Sequence, residues 1–204
     1  MFFSMDLVHV LLATLAAYLM GSLSFAVLVS RIMGLADPRS YGSQNPGATN
    51  VLRSGNKLAA ALTLLLDGVK GWLPVWAVSQ HGSVWGLGEG TLALAAMAAF
   101  AGHVWPVFFR FKGGKGVATA GGAMLALYPL VSLVLLALWL IVVKLSKKAS
   151  LASLAIVIGL PIGLVIVGRP AAEILTTVGL GIFVIWRHWP NLKRLVQGEE
   201  LSSR

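Results

Sequence analysis

The sequence predicts an all-α polytopic membrane protein with seven transmembrane helices, its N-terminus outside and its C-terminus in the cytoplasm. Three observations predict it. The composition is 57% hydrophobic and 11% charged, with a mean hydropathy of +0.84, whereas an average soluble domain carries about 25% charged residues. Apolar blocks near the ~20 residues that a spanning helix needs recur along the chain. The basic residues fall almost wholly on alternate connections between those blocks. At 204 residues the chain reads as one integral membrane domain, residues 1–204.

The first block, residues 5–30, contains Gly21, Ser22 and Ser24, small residues suited to close helix contact. The second, 57–80, carries Asp67 and Lys70, three apart and so on one face, followed by Gly71 and Pro74, which suggest a bend. A third runs over 89–109. The fourth, 117–128, is short, holds the Gly121-Gly122 pair and stops at Pro129; the fifth covers 129–145. A single kinked helix from Val117 to Val143 is the alternative and would give six spans. The sixth block, 150–168, repeats the small-residue theme with Gly159 and Gly163, and the seventh is 171–187.

Charge arbitrates between seven spans and six. With seven spans and the N-terminus outside, one side collects Arg31, Arg39, Arg53, Lys57, Arg110, Lys112, Lys115, Lys144, Lys147, Lys148, Arg187, Lys193, Arg194 and Arg204, fourteen of the sixteen basic residues. Only Arg169 falls opposite, and Lys70 lies within a helix. The excess of Lys and Arg in cytoplasmic loops then fixes the orientation. Six spans would carry the last two clusters outward.

These placements also limit function. The net charge of +9 sits at helix ends, where Lys144, Lys147, Lys148, Lys193 and Arg194 act as topology determinants and contacts for anionic lipid rather than for nucleic acid. Without cysteine the chain has no disulfide, thiol nucleophile or thiolate metal site. No basic segment precedes the first apolar block, so no cleaved signal peptide is expected. No internal repeat is evident, which weighs against a transporter.

Polar chemistry gathers on the cytoplasmic side. The stretch from Arg31 to Lys57 holds Ser43, Asn45, Thr49, Asn50 and Arg53 among glycines, a composition of hydrogen-bonding side chains and turn formers rather than of a disordered tether. Residues 110–119, Arg-Phe-Lys-Gly-Gly-Lys-Gly-Val-Ala-Thr, form a basic glycine-rich loop. Gly113, Gly114 and Gly116 let backbone N–H groups turn inward, Lys112 and Lys115 bring charge, and a helix starting near Val117 would aim its positive end at the same place. The spacing is not that of a Walker A motif, so nucleotide hydrolysis is not indicated. Two polar loops on one face can enclose a small phosphate.

Four further sites have both a chemical and a structural reading. Asp67 and Lys70 are ionisable groups inside a membrane helix, either functional or a structural pair. His103 can serve as base, phosphate donor or loop brace. Arg187-His188-Trp189-Pro190-Asn191 can orient a substrate oxygen or anchor the last helix at the interface. Ser150 and Ser153 begin the sixth span, where serine is commonly a cap.

Taken in order, Gly42-Ser43-x-Asn45-x-Gly47-Ala48-Thr49-Asn50 with Arg53, Asp67-x-x-Lys70-Gly71, Gly102-His103, Phe111-Lys112-Gly113-Gly114-Lys115-Gly116-Val117-Ala118-Thr119, Ser150-Leu151-Ala152-Ser153 and Arg187-His188-x-x-Asn191 resemble the bacterial acyl-phosphate:glycerol-3-phosphate acyltransferases, integral membrane enzymes that make lysophosphatidic acid. The resemblance implies seven helices and an active site at the cytoplasmic leaflet of the inner membrane. It implies acyl phosphate as donor, glycerol 3-phosphate as acceptor, no metal or other cofactor, and coupling to an enzyme that forms acyl phosphate. Lys112 to Thr119 would then be the phosphate loop, and Ser43, Thr49, Arg53, Lys112, Ser150, His188 and Asn191 would hold glycerol phosphate, with Ser153 the alternative to Ser150. Arg53, Lys112, His188 and Asn191 are the expected catalytic group; Asn45, Asn50, Lys70, His103, Lys115, Val117, Ala118 and the loop glycines are expected to help bind substrate. The alternative functions are an organic phosphate transporter or channel, and a lipid-binding scaffold. The His-x-x-x-x-Asp dyad of other glycerol phosphate acyltransferases does not occur here.

Overall fold

Helices form where the apolar blocks lie, because a backbone surrounded by lipid must satisfy its N–H and C=O groups internally. The computed structural model describes residues 5–203, with side chains from Asp6 onward; Arg204 lies outside the described residues. Among them are ten α-helices and no strand: α1 Met5–Gly21, α2 Phe25–Ile32, α3 Ala48–Leu52, α4 Lys57–His81, α5 Glu89–Val104, α6 Val117–Leu127, α7 Pro129–Ser146, α8 Ala149–Ile166, α9 Ala171–Arg187 and α10 Trp189–Val196. Those residues fall into two compact units, one ending at Leu127 and the other beginning at Tyr128.

The first unit is built around α4, against which α1, α2, α3, α5 and α6 all pack. Glycine is what allows the closest approaches. A Cβ on Gly71 would run into the carbonyl of Thr119, and one on Gly122 into the carbonyl of Gly68, so α4 and α6 cross backbone on backbone. Gly102 of α5 meets Tyr18 of α1 in the same way. The expected small-residue packing is thus present, although its residues are not only those of the apolar blocks' obvious glycine pairs: Gly121, next to Gly122, faces open space.

The first apolar block is two helices rather than one. α1 and α2 meet at an angle of 44° across residues 22–24, and the carbonyl of Leu23 accepts from the Lys70 ammonium at 2.6 Å. A charged partner forty-seven residues away satisfies the broken turn, which explains why the block shows no proline at the break. α4, by contrast, is one continuous helix through the buried Pro74, and Gly71 makes room for the α6 crossing.

In the second unit α8 packs between α7 and α9. Cβ atoms on Gly159 and Gly163 would approach Leu135 and Val131 of α7 to 2.8 Å, and one on Gly181 would approach Val157 to 3.1 Å. Only Val131 of α7 is buried, and Leu130, Leu133, Val134, Leu136, Leu140 and Ile141 are all exposed, a face that suits lipid and not water. α9 bends by 62° into α10. Pro190 sits in the first turn of α10, where its missing N–H costs no helical bond.

The helices separate at Tyr128, so a single helix from Val117 to Val143 does not form. By length and composition four helices can cross a membrane, and six can if each bent pair is one span. α6 has 11 residues and rises about 17 Å, little more than half of a ~30 Å hydrocarbon core.

Candidate active site

The polar stretch after α2 is shaped by Asn50, which is 1% exposed. Its Nδ2 donates to the carbonyls of Pro38 (2.6 Å) and Tyr41 (3.1 Å), while its Oδ1 accepts from the Ser43 N–H (3.0 Å) and from Arg53 Nη1 (3.2 Å). Those four bonds are the full capacity of a carboxamide. In this structure Asn50 therefore braces the loop. Gly42, at φ +57°, passes so close to Asn50 Oδ1 that a side chain would not fit. Arg53 Nη1 also donates to Ser43 Oγ at 3.2 Å, which assembles Ser43, Asn50 and Arg53 as one group. Asn45 and Thr49 are half-buried on the same stretch. At its base, Asp37 and Arg39 pair at 2.6 Å; the guanidinium bonds hold the Asp37 carboxyl below its ordinary range.

The glycine-rich loop is entered through two successive non-glycine residues at positive φ, Arg110 (+56°) and Phe111 (+59°), an expensive conformation for L-residues. Phe111 N–H donating to Pro106 O (2.9 Å) and Lys112 N–H to Phe109 O (3.2 Å) hold them there. Each glycine then has a steric reason. A Cβ on Gly113 would strike the carbonyls of His103 and Val104; one on Gly114 would strike the His103 ring and lie 3.0 Å from the Pro46 carbonyl; Gly116, at φ +80°, faces the Phe100 ring. Gly114 is therefore where the two polar loops touch. α6 starts immediately afterwards at Val117, with Val117 and Ala118 half-buried, and first-turn N–H groups have no acceptor within their own helix.

Between the loops lies a groove of about 930 Å³ whose lining includes Arg31, Arg39, Gln44, Pro46, Arg110 and Lys112, with Asp37 as the acid among the lining residues. Gly113 also lines it. A concave, positively charged mouth concentrates anions.

Lys70 and His103 occupy a buried layer beneath. Lys70 is 2% exposed; its Nζ lies 2.7 Å from Asp67 Oδ1 and 2.6 Å from the Leu23 carbonyl. The pair expected from the three-residue spacing is present. His103 Nδ1 is 3.1 Å from Thr119 Oγ1 and 3.7 Å from Asp67 Oδ1.

In the second unit Ser150, Asn191 and Arg194 gather around a residue outside the expected site. Glu200, its side chain 3% exposed, accepts from Ser150 Oγ at 2.7 Å and Asn191 Nδ2 at 2.5 Å through Oε1, and from Arg194 Nε at 2.9 Å through Oε2. Burial pushes its carboxyl up, but the bonds from Ser150, Asn191 and Arg194 outweigh burial and hold it below the ordinary 4.5. A clue was present: two adjacent acids, Glu199 and Glu200, beyond a basic helical turn, with Gly198 at φ +76° to bring the chain back. Ser203 completes the return, its N–H and Oγ donating to the Lys147 carbonyl. Ser150 and Ser153 are separated by this geometry: Ser153 donates to Ala149 O and accepts from Trp139 Nε1, while Ser150 turns to the tail. His188 Nδ1 lies 2.8 Å from the Val184 carbonyl, so Nδ1 carries the hydrogen and Nε2 is the basic nitrogen. Among the described residues no three or more His, Asp or Glu side chains group as metal ligands.

Helices of this length and exposed apolarity, together with a basic groove at a glycine-rich loop, define an integral membrane protein built to handle a small anion. The family model described as glycerol-3-phosphate acyltransferase matches residues 11–198, and the chain belongs to that family. A protein of that name from Paraburkholderia phytofirmans is 53% identical over 190 residues, covering 93% of this chain and 89% of its own length; one from Burkholderia pseudomallei is 54% identical over 196 residues, covering 94% of each. The crystal structure of PlsY, an integral membrane glycerol 3-phosphate acyltransferase, in its glycerol 3-phosphate form superposes with a TM-score of 0.87 at 36% identity and 95% coverage of both chains. Its lysophosphatidic acid form gives 0.85 at 34% identity, with the same coverage.

Proposed function

We propose that this chain transfers an acyl group from acyl phosphate to the 1-hydroxyl of glycerol 3-phosphate, releasing lysophosphatidic acid and phosphate, as the first step of bacterial phospholipid synthesis. Family membership and the structures of PlsY in its glycerol 3-phosphate and lysophosphatidic acid forms support acyl transfer to that acceptor. The observation that carries the reading is the contact of two polar loops at Gly114 and Pro46 beside a groove bearing Arg31, Arg39, Arg110 and Lys112. The reaction takes place at the cytoplasmic face of the inner membrane, in a protein of seven spans with its N-terminus outside. Exposed Trp105, Phe108 and Phe111 beside the glycine loop fit an aromatic belt at that interface, and both compact units act as one acyltransferase domain.

Acyl phosphate is a mixed anhydride, already activated, so no covalent enzyme intermediate is needed. The acceptor's primary hydroxyl oxygen attacks the acyl carbon, the bond from that carbon to the phosphate oxygen breaks, and phosphate leaves with the electron pair. Lys115 and the N–H groups of Gly113 and of Lys115 to Thr119 stabilise charge on the departing phosphate, the Gly114 N–H being taken by the His103 carbonyl. Arg53 and Lys112 clamp the phosphate of the acceptor and hold its hydroxyl near the carbonyl, with Ser43, Asn45 and Thr49 completing the contacts from the first unit; the family resemblance assigns Ser150 and Asn191 to the same substrate. The hydroxyl proton passes to a phosphate oxygen of the substrates; His188, whose Nε2 is the basic nitrogen, is the protein alternative. An enzyme that makes acyl phosphate must supply the donor, since a mixed anhydride hydrolyses in water. The buried Lys70, the charge that an anion-permeation site in the helices would use, is engaged by Asp67 and the Leu23 carbonyl.

Detergent-purified protein given palmitoyl phosphate and glycerol 3-phosphate without divalent metal should form lysophosphatidic acid and one equivalent of phosphate. Product from acyl-CoA but not from palmitoyl phosphate would overturn the donor assignment. Flux of glycerol phosphate into liposomes without acyl transfer would favour the transporter.

A further inference from the structure

We propose that Asp67, His103 and Thr119 form a buried positioning node that fixes both ends of the glycine loop, with Lys70 tying the node to the α1–α2 break. This rests on the reading that the glycine loop holds a substrate phosphate. None of the four side chains then needs to touch substrate; they act through the loop.

The links run from backbone to side chain. At its near end the loop is held by His103: the Gly114 N–H donates to the His103 carbonyl at 3.1 Å, and Gly114 lies so close to ring atom Nε2 that a Cβ would collide with it. At the far end Thr119, in the first turn of α6 and wholly buried, places its hydroxyl 3.1 Å from His103 Nδ1. One imidazole thus spans the segment from Gly114 to Thr119, touching both ends. The ring is set in turn by Asp67, whose Oδ1 stands 3.7 Å from Nδ1. A carboxylate there favours the tautomer with hydrogen on Nδ1, which donates to the Thr119 hydroxyl.

The support for Asp67 is equally stiff. Its turn of α4 is the one crossed by α6: Gly68 carbonyl against Gly122, and Gly71 against the Thr119 carbonyl. Lys70 neutralises the carboxylate at 2.7 Å and uses a further hydrogen for Leu23 O. A charge pair in a membrane helix is costly to bury, and this one connects the α1–α2 break, α4, α5 and α6 at a single point below the loop. Thr119, His103 and Lys70 are positioning residues in this account.

The test compares variants by activity per folded molecule. Thr119→Val keeps the side-chain volume and removes only the hydroxyl. It should raise KM for a phosphate-bearing substrate, or lower kcat, by at least tenfold at unchanged elution profile. Thr119→Ser restores the hydroxyl and should recover most of that loss. His103→Asn, whose amide can stand in for the Nδ1 hydrogen, should retain more activity than His103→Ala, and it remains informative if the alanine variant does not fold. Asp67→Asn combined with Thr119→Val should be no worse than the poorer single variant, because both act through His103. The proposal is overturned if Thr119→Val has wild-type kcat and KM with reduced yield alone, or if the two substitutions multiply. Binding of inorganic phosphate, the leaving group that the loop is read as holding, measured by calorimetry without donor or acceptor separates the two readings. Weaker binding by Thr119→Val with an enzyme that rejects palmitoyl phosphate would keep the node and remove the donor; unchanged binding together with unchanged turnover would remove the node.

Discussion

At the scale of single residues, the two charged groups with most to lose are Arg53 and Glu200, and they differ in what they hold. Arg53 spends one nitrogen on Ser43 and Asn50, which aims the rest of its planar fork. Replacing it with Ala should lower kcat/KM about a hundredfold or more, the loss of roughly 3 kcal/mol of charge-assisted bonding, while the protein elutes as before. Lys in its place keeps charge but not the fork, so its activity should fall between. Steady-state kinetics on purified variants checks both, and near-normal Ala turnover would remove Arg53 from the clamp. Glu200 is a stability residue. Its folded carboxyl is held below the ordinary 4.5 by Ser150, Asn191 and Arg194 against the upward push of burial. Its contribution is therefore present above about 4.5 and is lost as pH falls through the lower folded value. Glu200→Gln should cost about 1–3 kcal/mol at pH 7 and flatten the decline of Tm below pH 4.5; a parallel decline in both proteins would show that Glu200 contributes nothing.

At the scale of elements, the α4–α6 crossing makes neighbouring glycines unequal. Gly122→Ala drives a methyl into the Gly68 carbonyl, whereas Gly121→Ala points into open space. The first should destabilise by about 1–3 kcal/mol, as overpacking does, and the second should stay within about 0.5 kcal/mol; thermal unfolding in one detergent compares them directly. The sequence shows both glycines but not which one faces α4, because apolar residues surround both and no polar stripe sets a helical phase. The same limit explains the rest of what could be read. Apolar length located α4, α5, α7, α8 and α9 within a few residues, and Lys-Gly-Gly-Lys-Gly located the glycine-rich turn ahead of α6. The α1–α2 break was hidden because Lys70, forty-seven residues on, satisfies it. The Glu200 anchor was hidden because Ser150 is fifty residues away. Local patterns are visible in sequence; long-range polar partners in a membrane helix are not.

At the scale of the whole molecule, the orientation proposed from charge makes the strongest demand, because every functional group has to reach one compartment. A seven-span chain puts Ser54, Leu145 and Gln197 inside and Ser83 outside. A six-span chain would keep Ser54 inside but send Leu145 and Gln197 out. All four are exposed, and the chain has no cysteine, so each can be changed singly to cysteine against a silent background. In intact cells an impermeant maleimide should label Ser83→Cys at once, and should label the other three only after permeabilisation. Labelling of Leu145→Cys and Gln197→Cys from outside would mean that α6, at about 17 Å, does not cross. Seven spans would then be wrong, and the roles proposed for Ser150, His188 and Asn191 in a reaction at the cytoplasmic face would fall with them.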